Sequence, residues 1–389
     1  MHFAKEIGES LTYQFAQAAG EMKAQGREII SLGLGEPDFE TPDYVKKATI
    51  EAMESGYTHY SASQGLPELR GLIAERAKAD YGVSYDASEV IVLPGIKAAV
   101  YMALASILEP FDEIVNITPC YVSYPPMIKL AEPTAEIFNI SMNKDYTLDI
   151  EAFKKTINRN TKCILLNTPH NPTGAVFSKD DIEEIISVCL ENDVYIISDE
   201  VYEKLVYTES EHVSFAKYPE IKDKLIITNG YSKSYAMTGW RLGYAISPRE
   251  VIKRMNKMQQ HINTNTCTFI QKGACSIYRN DEVHIPPYVA LLEERANFFH
   301  NALCKGTMIK GEMPKAGFFY FADISAAGMD SNSFCVKLLK ETGIAATPGL
   351  AFGSDWDDHV RFSISVPLET LQKAVLRMDS FQKHIMEKP

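Results

Sequence analysis

The 389-residue chain has few of the features that mark membrane, secreted or nucleic-acid-binding proteins. No apolar run is long enough to cross a bilayer, and the mean hydropathy is -0.15. The first residues carry Lys, Glu and His in place of a basic head and an apolar stretch, so we expect no secretory signal. Only 39 Lys and Arg face 51 Asp and Glu, and the resulting net charge of -12 opposes contact with a phosphate backbone. We therefore expect neither a membrane nor a nucleic acid as partner.

Cysteine, histidine and glycine also lack the spacings of well-known binding sites. The seven cysteines are scattered, odd in number and never form a CxxC pair, which is typical of reduced thiols and indicates the cytoplasm. The nine histidines show no metal-ligand spacing, and we interpret His170 as a loop residue, not a catalyst. Gly33 and Gly35 have no third glycine at the spacing of a dinucleotide loop. We predict no metal site and no nicotinamide site.

The chain does contain an alternation of strand-length and helix-length segments. Helix-length stretches lie between several of the strand-like runs, and the clearest, 179–190, has Ser178 and Asp181 in the pattern of a capping box. This alternation predicts an α/β fold with a largely parallel sheet covered by helices. Runs rich in β-branched residues predict the strands 90–93, 114–117, 137–140, 163–166, 194–198, 225–228 and 242–246.

The pattern changes towards both ends of the chain. Residues 1–45 and 285–389 hold mixed elements, including predicted strands at 317–323 and 360–366. We therefore predict a large domain over 46–284 and a smaller α+β domain formed from both chain ends.

Polar residues follow three of the predicted strands. Asn171 lies in the loop after 163–166, Asp199 and Tyr202 follow 194–198, and Lys233 follows 225–228. The carboxyl ends of parallel strands are where ligands of such sheets bind. Burial lowers the pKa of a lysine and makes it a nucleophile for Schiff-base formation, while a carboxylate can keep a pyridine nitrogen protonated.

Further groups at the same edge complete a set that suits one cofactor. The Tyr202 phenol and the Asn171 amide could bond an ionised ring oxygen, and Ser232 with Arg241 would suit a phosphate. Each residue alone also has a plain structural interpretation, since strand-end lysines are usually solvated and Asn-Pro-Thr-Gly is a good turn sequence. The whole set in this order favours pyridoxal phosphate.

The order of these motifs resembles that of a known family. Residues 230–243, GYSKSYAMTGWRLG, resemble over all fourteen positions the lysine signature of the class I and II aminotransferases of pyridoxal phosphate fold type I. The resemblance extends over essentially the whole chain and is strongest to the prokaryotic aspartate aminotransferase branch. It implies a large domain with a mostly parallel sheet between helices and a smaller α+β domain. The other matching landmarks, in order, are GLGEPDF at 33–39, YSASQG at 60–65 with Leu69 and Arg70, NPTG at 171–174, DEVY at 199–202, and Arg361.

The resemblance implies a role for each matching residue. Lys233 would form the Schiff base with the cofactor and then act as base and acid in the proton shift. Asp199 would pair with the ring nitrogen, Tyr202 and Asn171 would bond the ring oxygen, and Tyr121 would stack on the ring. The phosphate would be held by backbone N–H groups of Gly95, Ile96 and Lys97, by Ser232 and Arg241, and by Tyr60 of a neighbouring subunit.

The family also implies how substrate is bound. Arg361 would hold the substrate carboxylate in a bidentate fork, assisted by the backbone of Gly35 and by Asn171. Because Tyr60 acts across subunits, the resemblance implies a homodimer with shared active sites.

The predicted activity is ping-pong transfer of an amino group from an L-amino acid to a 2-oxo acid such as 2-oxoglutarate. The turn containing Lys97 resembles the aspartate branch, so we favour aspartate or glutamate as amino donor. Ala98 and Pro126 depart from that branch and leave aromatic amino acids or alanine open. A C–S lyase would share Lys233 and Asp199 and stays an alternative. A noncatalytic sensing domain is disfavoured because the lysine is present.

Overall fold

The computed structural model describes residues 7–304 and 308–386, which form a succession of helices and strands. The helices are α1 (Leu11–Ala24), α2 (Asp43–Glu54), α3 (Pro67–Tyr81), α4 (Ile96–Ile107), α5 (Tyr124–Ala131), α6 (Ile150–Thr156), α7 (Lys179–Glu191), α8 (Arg249–Ile262), α9 (Thr268–Ala274), α10 (Asp281–Cys304), α11 (Ser331–Thr342) and α12 (Leu368–Met386). The strands are β1 (Ile30–Ser31), β2 (Val90–Leu93), β3 (Glu113–Thr118), β4 (Glu136–Ser141), β5 (Thr161–Asn167), β6 (Tyr195–Asp199), β7 (Leu225–Gly230), β8 (Gly243–Ile246), β9 (Phe319–Asp323), β10 (Ile344–Ala345), β11 (Thr347–Pro348) and β12 (His359–Ser363).

A seven-stranded sheet in the order β2-β8-β7-β6-β5-β3-β4 forms the centre of the molecule. Only β8 runs antiparallel to its neighbours β2 and β7, and the remaining neighbours pair in parallel. All seven strands predicted from the sequence are present, and a mostly parallel sheet between helices is confirmed. Helix α7 is confirmed too: Asp181 N donates to Ser178 Oγ at 3.1 Å, and Ser178 N donates to the Asp181 carboxylate at 3.0 Å.

The central sheet is buried on both faces because consecutive strand residues point to opposite sides. Val90 and Val92 of β2 join one hydrophobic cluster, to which α3, α6 and α7 contribute. Ile91 and Leu93 of the same strand join a second cluster on the other face, with α4, α5 and α8. Among the seven strands, the edge strand β4 has several exposed residues, whereas β2, β5, β6 and β7 are almost entirely buried.

A third hydrophobic cluster lies around a smaller sheet in which β11, β12 and β9 pair antiparallel. Strand β1 near one chain end pairs in parallel with β10 near the other. Strand β9 begins two residues later than predicted, because Gly317 has a φ of +72° that does not fit an extended strand. Strand β12 ends three residues before the predicted limit at residue 366. No helix in the described part of the chain has the length and apolarity needed to cross a bilayer.

Candidate active site

A cavity of about 570 Å³ opens at the carboxyl ends of β5, β6 and β7. The sheet topology brings polar residues from distant parts of the sequence to this edge, as the parallel arrangement of these strands requires. Eleven of the thirteen residues predicted from the sequence line the cavity: Gly35, Ile96, Lys97, Tyr121, Asn171, Asp199, Tyr202, Ser232, Lys233, Arg241 and Arg361. The two others, Gly95 and Tyr60, occupy different positions and are described below.

Lys233 lies three residues beyond β7, and its ammonium group points into the cavity. Nζ donates a hydrogen bond to the Gly35 carbonyl at 2.5 Å. Burial, with a smaller contribution from the Arg361 guanidinium, lowers the pKa of Lys233 to about 8. A substantial fraction of this amine is therefore neutral near physiological pH, as a nucleophile or a base must be.

Asp199 is the last residue of β6 and is buried at the floor of the cavity. Burial raises the pKa of Asp199 to about 6, although a hydrogen bond from Tyr124 opposes the rise. That bond, from the Tyr124 hydroxyl to Asp199 Oδ2, is 2.8 Å long. Tyr124 was not predicted as a site residue. The sequence shows it only as the second tyrosine of a short aromatic segment, with no spacing that links it to Asp199.

Asn167 is a second site residue that sequence reasoning missed. Its side-chain Nδ2 donates to the backbone carbonyl of Asp199 at 2.7 Å, and its Oδ1 accepts from the backbone N–H of Asn171 at 2.8 Å. Asn167 therefore joins the ends of β5 and β6 and fixes the loop that carries Asn171. It directly follows the predicted strand 163–166, and the sequence gives it only the signal of an ordinary strand end.

Arg361, on β12, forms the opposite wall of the cavity. Its Nη1 donates to Asn171 Oδ1 at 3.0 Å and its Nη2 to the Gly33 carbonyl at 2.9 Å. Its guanidinium carbon lies 4.2 Å from the centroid of the Phe319 ring. Burial lowers the pKa of Arg361 to about 10, so the group stays cationic at neutral pH. Among the described residues Nε has no hydrogen-bond partner, which leaves a buried donor for an incoming carboxylate.

An anion cradle lies at the N-terminus of α4. Gly95 precedes this helix with a φ of +93°, and a Cβ built there would lie 2.4 Å from Arg241 Nη2. The guanidinium of Arg241 therefore contacts the backbone where the first N–H groups of the helix, including those of Ile96 and Lys97, lack intrahelical partners. Ser232 faces the same cavity. Free N–H groups, a helix N-terminus, a hydroxyl and a guanidinium together fit a phosphate.

The remaining predicted residues differ in their positions. Tyr202 is buried against Phe318 and Phe319, and burial raises its pKa. Tyr121 and Lys97 lie side by side, with Lys97 Nζ 5.3 Å from the Tyr121 ring centroid. Tyr60 does not line the cavity, and 86% of its surface is exposed in this single chain.

Other candidate chemistries have less support in the structure. His170 is buried with Nδ1 2.8 Å from Thr173 Oγ1, and burial lowers its pKa to about 3, so it is a neutral loop side chain. In the described ranges 7–304 and 308–386, no three His, Cys, Asp or Glu side chains come together as a metal site.

The cavity combines a partly neutral amine, a buried acid, an anion cradle and a carboxylate fork. This set can hold a phosphorylated pyridine and an amino acid and can move a proton between them.

Comparison with known proteins gives a consistent result across the chain. The family model for aminotransferase class I and II matches residues 27–378. An aspartate aminotransferase of Bacillus subtilis is 35% identical over 394 residues, covering 99% of this chain and 100% of that protein. Aromatic-amino-acid aminotransferase 2 of Thermococcus litoralis is 35% identical over 367 residues, covering 92% of this chain and 93% of that protein. The solved aspartate aminotransferase of Thermotoga maritima has a TM-score of 0.92 and 32% identity, covering 98% of this chain and 100% of that one.

Proposed function

The chain belongs to the class I and II aminotransferases, and from that membership we propose that it uses pyridoxal phosphate to move the amino group of L-aspartate or L-glutamate to a 2-oxo acid such as 2-oxoglutarate. The observation that carries the proposal is the meeting of Lys233, Asp199 and Arg361 around one cavity of about 570 Å³. Full-length relatives named aspartate aminotransferase support the choice of substrate.

The residues around the cavity fit pyridoxal phosphate. When bound, this cofactor supplies an electron sink that stabilises negative charge at the substrate Cα. The α4 N-terminus at Gly95, Ile96 and Lys97, together with Ser232 and Arg241, would hold the phosphate. The cradle fits because Gly95 brings the backbone against the Arg241 guanidinium, where a side chain would intrude.

Four side chains would fix the ring. Asp199 would accept the hydrogen bond of the ring N–H and keep that nitrogen protonated, with Tyr124 holding the carboxylate in place. Tyr202 and Asn171 would bond the ring oxygen, and Tyr121 would cover one face of the ring.

Lys233 would hold the cofactor covalently and, once displaced by substrate, move the proton between the substrate Cα and the cofactor carbon. Its pKa of about 8 places the amine near the working pH, which is the optimum for a group that must both take and give a proton. Arg361 would bind the α-carboxylate through Nε and an Nη group and so orient the Cα–H bond. The backbone of Gly35 would assist, because it already lies beside Lys233.

An aromatic amino acid is the second candidate donor. The relative from Thermococcus litoralis bears the name of an aromatic-amino-acid aminotransferase at the same 35% identity. The cavity wall also offers Leu34, Val122 and Met127, an apolar surface that suits a ring, and Lys97 lines the same cavity. Lys97 favours an acidic side chain, and we therefore rank aspartate and glutamate first.

The broader organisation of the molecule also belongs to this proposal. The large domain would cover 46–284, and the small domain would consist of 1–45 and 285–389, consistent with the pairing of β1 with β10. The chain would act as a homodimer, because Tyr60 is 86% exposed and does not line the cavity of its own chain. The seven described cysteines are free thiols, which supports a cytoplasmic location.

A visible absorption titration of the purified holoenzyme tests the proposal. We expect single additions of aspartate or glutamate to bleach the absorption of the bound cofactor in proportion to enzyme, and 2-oxoglutarate to restore it. Phenylalanine, tyrosine and alanine, tested in parallel, rank the side chains by rate of bleaching. The Lys233→Ala variant should show neither the absorption nor turnover, whereas the surface variant Lys179→Ala should match the native protein.

Either of two results would overturn the proposal. Persistent absorption with accumulation of pyruvate and ammonia from cystathionine would identify a C–S lyase. Turnover retained by Lys233→Ala would place the chemistry elsewhere.

A further inference from the structure

Residues 33–41, here named the strap, contribute Leu34, Gly35 and Glu36 to the lining of the cavity and contact two of its side chains. The Gly33 carbonyl accepts the 2.9 Å hydrogen bond from Arg361 Nη2. The Gly35 carbonyl accepts the 2.5 Å bond from Lys233 Nζ. The position of the strap therefore bears directly on where the carboxylate fork and the amine lie.

One side of the strap is bound to the loop that carries Lys233. Thr41 Oγ1 donates to the Ala236 carbonyl at 2.8 Å, and Trp240 Nε1 donates to Thr41 Oγ1 at 3.1 Å. Thr238 Oγ1 donates to the Glu36 carboxylate. These contacts tie the strap to the cofactor side of the cavity.

The other side of the strap is bound through Asp38. Arg295 Nη1, on α10, donates to Asp38 Oδ1 at 2.8 Å. Ser365 accepts from the Asp38 backbone N–H at 3.0 Å and donates to Asp38 Oδ1 at 3.1 Å. Ser365 lies two residues beyond β12, the strand that carries Arg361. Asp38 thus connects the strap to α10 and to the end of the strand that holds the carboxylate fork.

The burial of Arg295 strengthens this connection. Arg295 is 5% exposed and Asp38 is its only described acidic partner. The Asp38 side chain is 19% exposed, so the pair is buried on the Arg295 side only. Removing Asp38 would leave the buried Arg295 charge uncompensated, and Arg295 therefore holds the Asp38 carboxylate beside α10. An ion pair between two exposed side chains would hold the strap less firmly.

We propose that Asp38, Arg295 and Ser365 are positioning residues that set the strap, and through it Arg361, in the geometry that binds the substrate carboxylate. They touch neither substrate nor cofactor, since none of the three lines the cavity. The proposal rests on the proposed function, in which Arg361 is the carboxylate ligand. It predicts that loosening the strap weakens carboxylate binding and leaves the cofactor in place.

The test uses the holoenzyme and the variant Arg295→Met. We expect the KM for aspartate and the Kd for succinate, a dicarboxylic acid without an amino group, to rise about tenfold, with kcat changed by less than about threefold. The visible absorption of the bound cofactor should be unchanged, and Arg295→Lys should recover part of the lost affinity. Arg377→Met is the matched control, because it breaks an arginine ion pair with Glu28 outside the strap.

Two more variants separate positioning from a general loss of stability. The double variant Asp38→Asn with Arg295→Met removes both charges, so its thermal midpoint should recover relative to Arg295→Met while its affinity for succinate stays low. Ser365→Ala leaves no uncompensated charge and should weaken succinate binding in the same direction by a smaller factor, which keeps the test open should Arg295→Met fail to fold.

The proposal is overturned if succinate affinity recovers together with the thermal midpoint, or if Arg295→Met and Ser365→Ala bind succinate as tightly as the native protein. Binding of succinate is measured without turnover. A native enzyme that binds succinate and fails to transaminate would therefore contradict the proposed function and not the role of the strap.

Discussion

Arg361 lies inside the protein with its guanidinium between the Phe319 and Phe352 rings, 4.2 and 4.9 Å from their centroids. The rings hold the cation in place, and each such contact is worth about 0.5–2 kcal/mol. The guanidinium also gives three hydrogen bonds to the protein, to Asn171, Gly33 and Thr347, and keeps Nε free of a partner among the described residues. A side chain held this firmly can bind a carboxylate with little further loss of conformational freedom.

Replacement of Arg361 by leucine should therefore act mainly on binding. We expect Arg361→Leu to raise the KM for every amino acid and to lower kcat/KM by about 10²- to 10³-fold, because the carboxylate fork is lost. Steady-state kinetics with aspartate and with an aromatic donor measure the effect. A KM that stays at the native value for all donors would place the carboxylate site elsewhere.

The amine of Lys233 should give the cofactor-free protein a characteristic pH dependence. Its pKa is lowered to about 8, and only the neutral amine attacks an aldehyde. The rate of pyridoxal phosphate incorporation should therefore rise about tenfold per pH unit below about 8 and level off above it. Stopped-flow absorbance after mixing with the cofactor measures this profile. A plateau that begins only near pH 10 would show that burial does not lower the pKa of this amine.

The hydrogen bond from Tyr124 should lower the pKa of Asp199. The Tyr124 hydroxyl bonds the charged form of the carboxylate, so Tyr124→Phe should raise the pKa of Asp199 above its value of about 6. The ionised acid is needed to pair with the ring nitrogen. In Tyr124→Phe, kcat should therefore fall about tenfold at pH 7, and on acidification kcat should be lost at a higher pH than in the native protein. The kcat–pH profile measures the change. Tyr146→Phe is the control, since it removes a buried phenol bond to the Phe321 carbonyl without touching Asp199.

At the scale of single elements, the entry to α4 decides whether a phosphate can bind. Gly95 has a φ of +93°, and a methyl group there would lie 2.4 Å from Arg241 Nη2. Gly95→Ala should therefore weaken cofactor affinity at least about tenfold, through backbone strain and displacement of the guanidinium. Gly71→Ala, in the middle of α3 with open space around the added atom, should leave it unchanged. Equilibrium dialysis measures the cofactor affinity of the two variants. Equal affinities would show that the phosphate does not bind at the N-terminus of α4.

The elements also show what sequence can and cannot predict. The strands ending at Asp199 and Gly230 were predictable because buried parallel strands appear as short runs of β-branched residues followed by polar ones. Tyr124 was not, because its bond to Asp199 joins residues 75 positions apart and depends on the tertiary structure that brings the start of α5 to the end of β6. The pattern of one element carries no information about such a contact. The start of β9 was misplaced for a local reason, the positive φ of Gly317.

At the scale of the whole molecule, the position of Tyr60 distinguishes an active site built from one chain from an active site shared by two chains. It is 86% exposed and does not line the cavity of its own chain, so the proposed contact with the phosphate needs a second subunit. Other large apolar side chains near it in the sequence, Met53 and Tyr57, are also partly exposed. A symmetric dimer would bring the same surface of each chain to the other's cavity.

Mixing two defective proteins tests this arrangement. One protein carries Lys233→Ala and the other carries Tyr60→Ala; each should have low activity alone. In a mixed dimer one cavity pairs an intact Lys233 with an intact Tyr60 of the other chain. After joint unfolding and refolding of equal amounts, random pairing should restore about a quarter of the native activity. If Tyr60 served its own chain, every cavity would keep one defect and mixing would restore nothing, so the recovered activity decides whether the two chains share their sites.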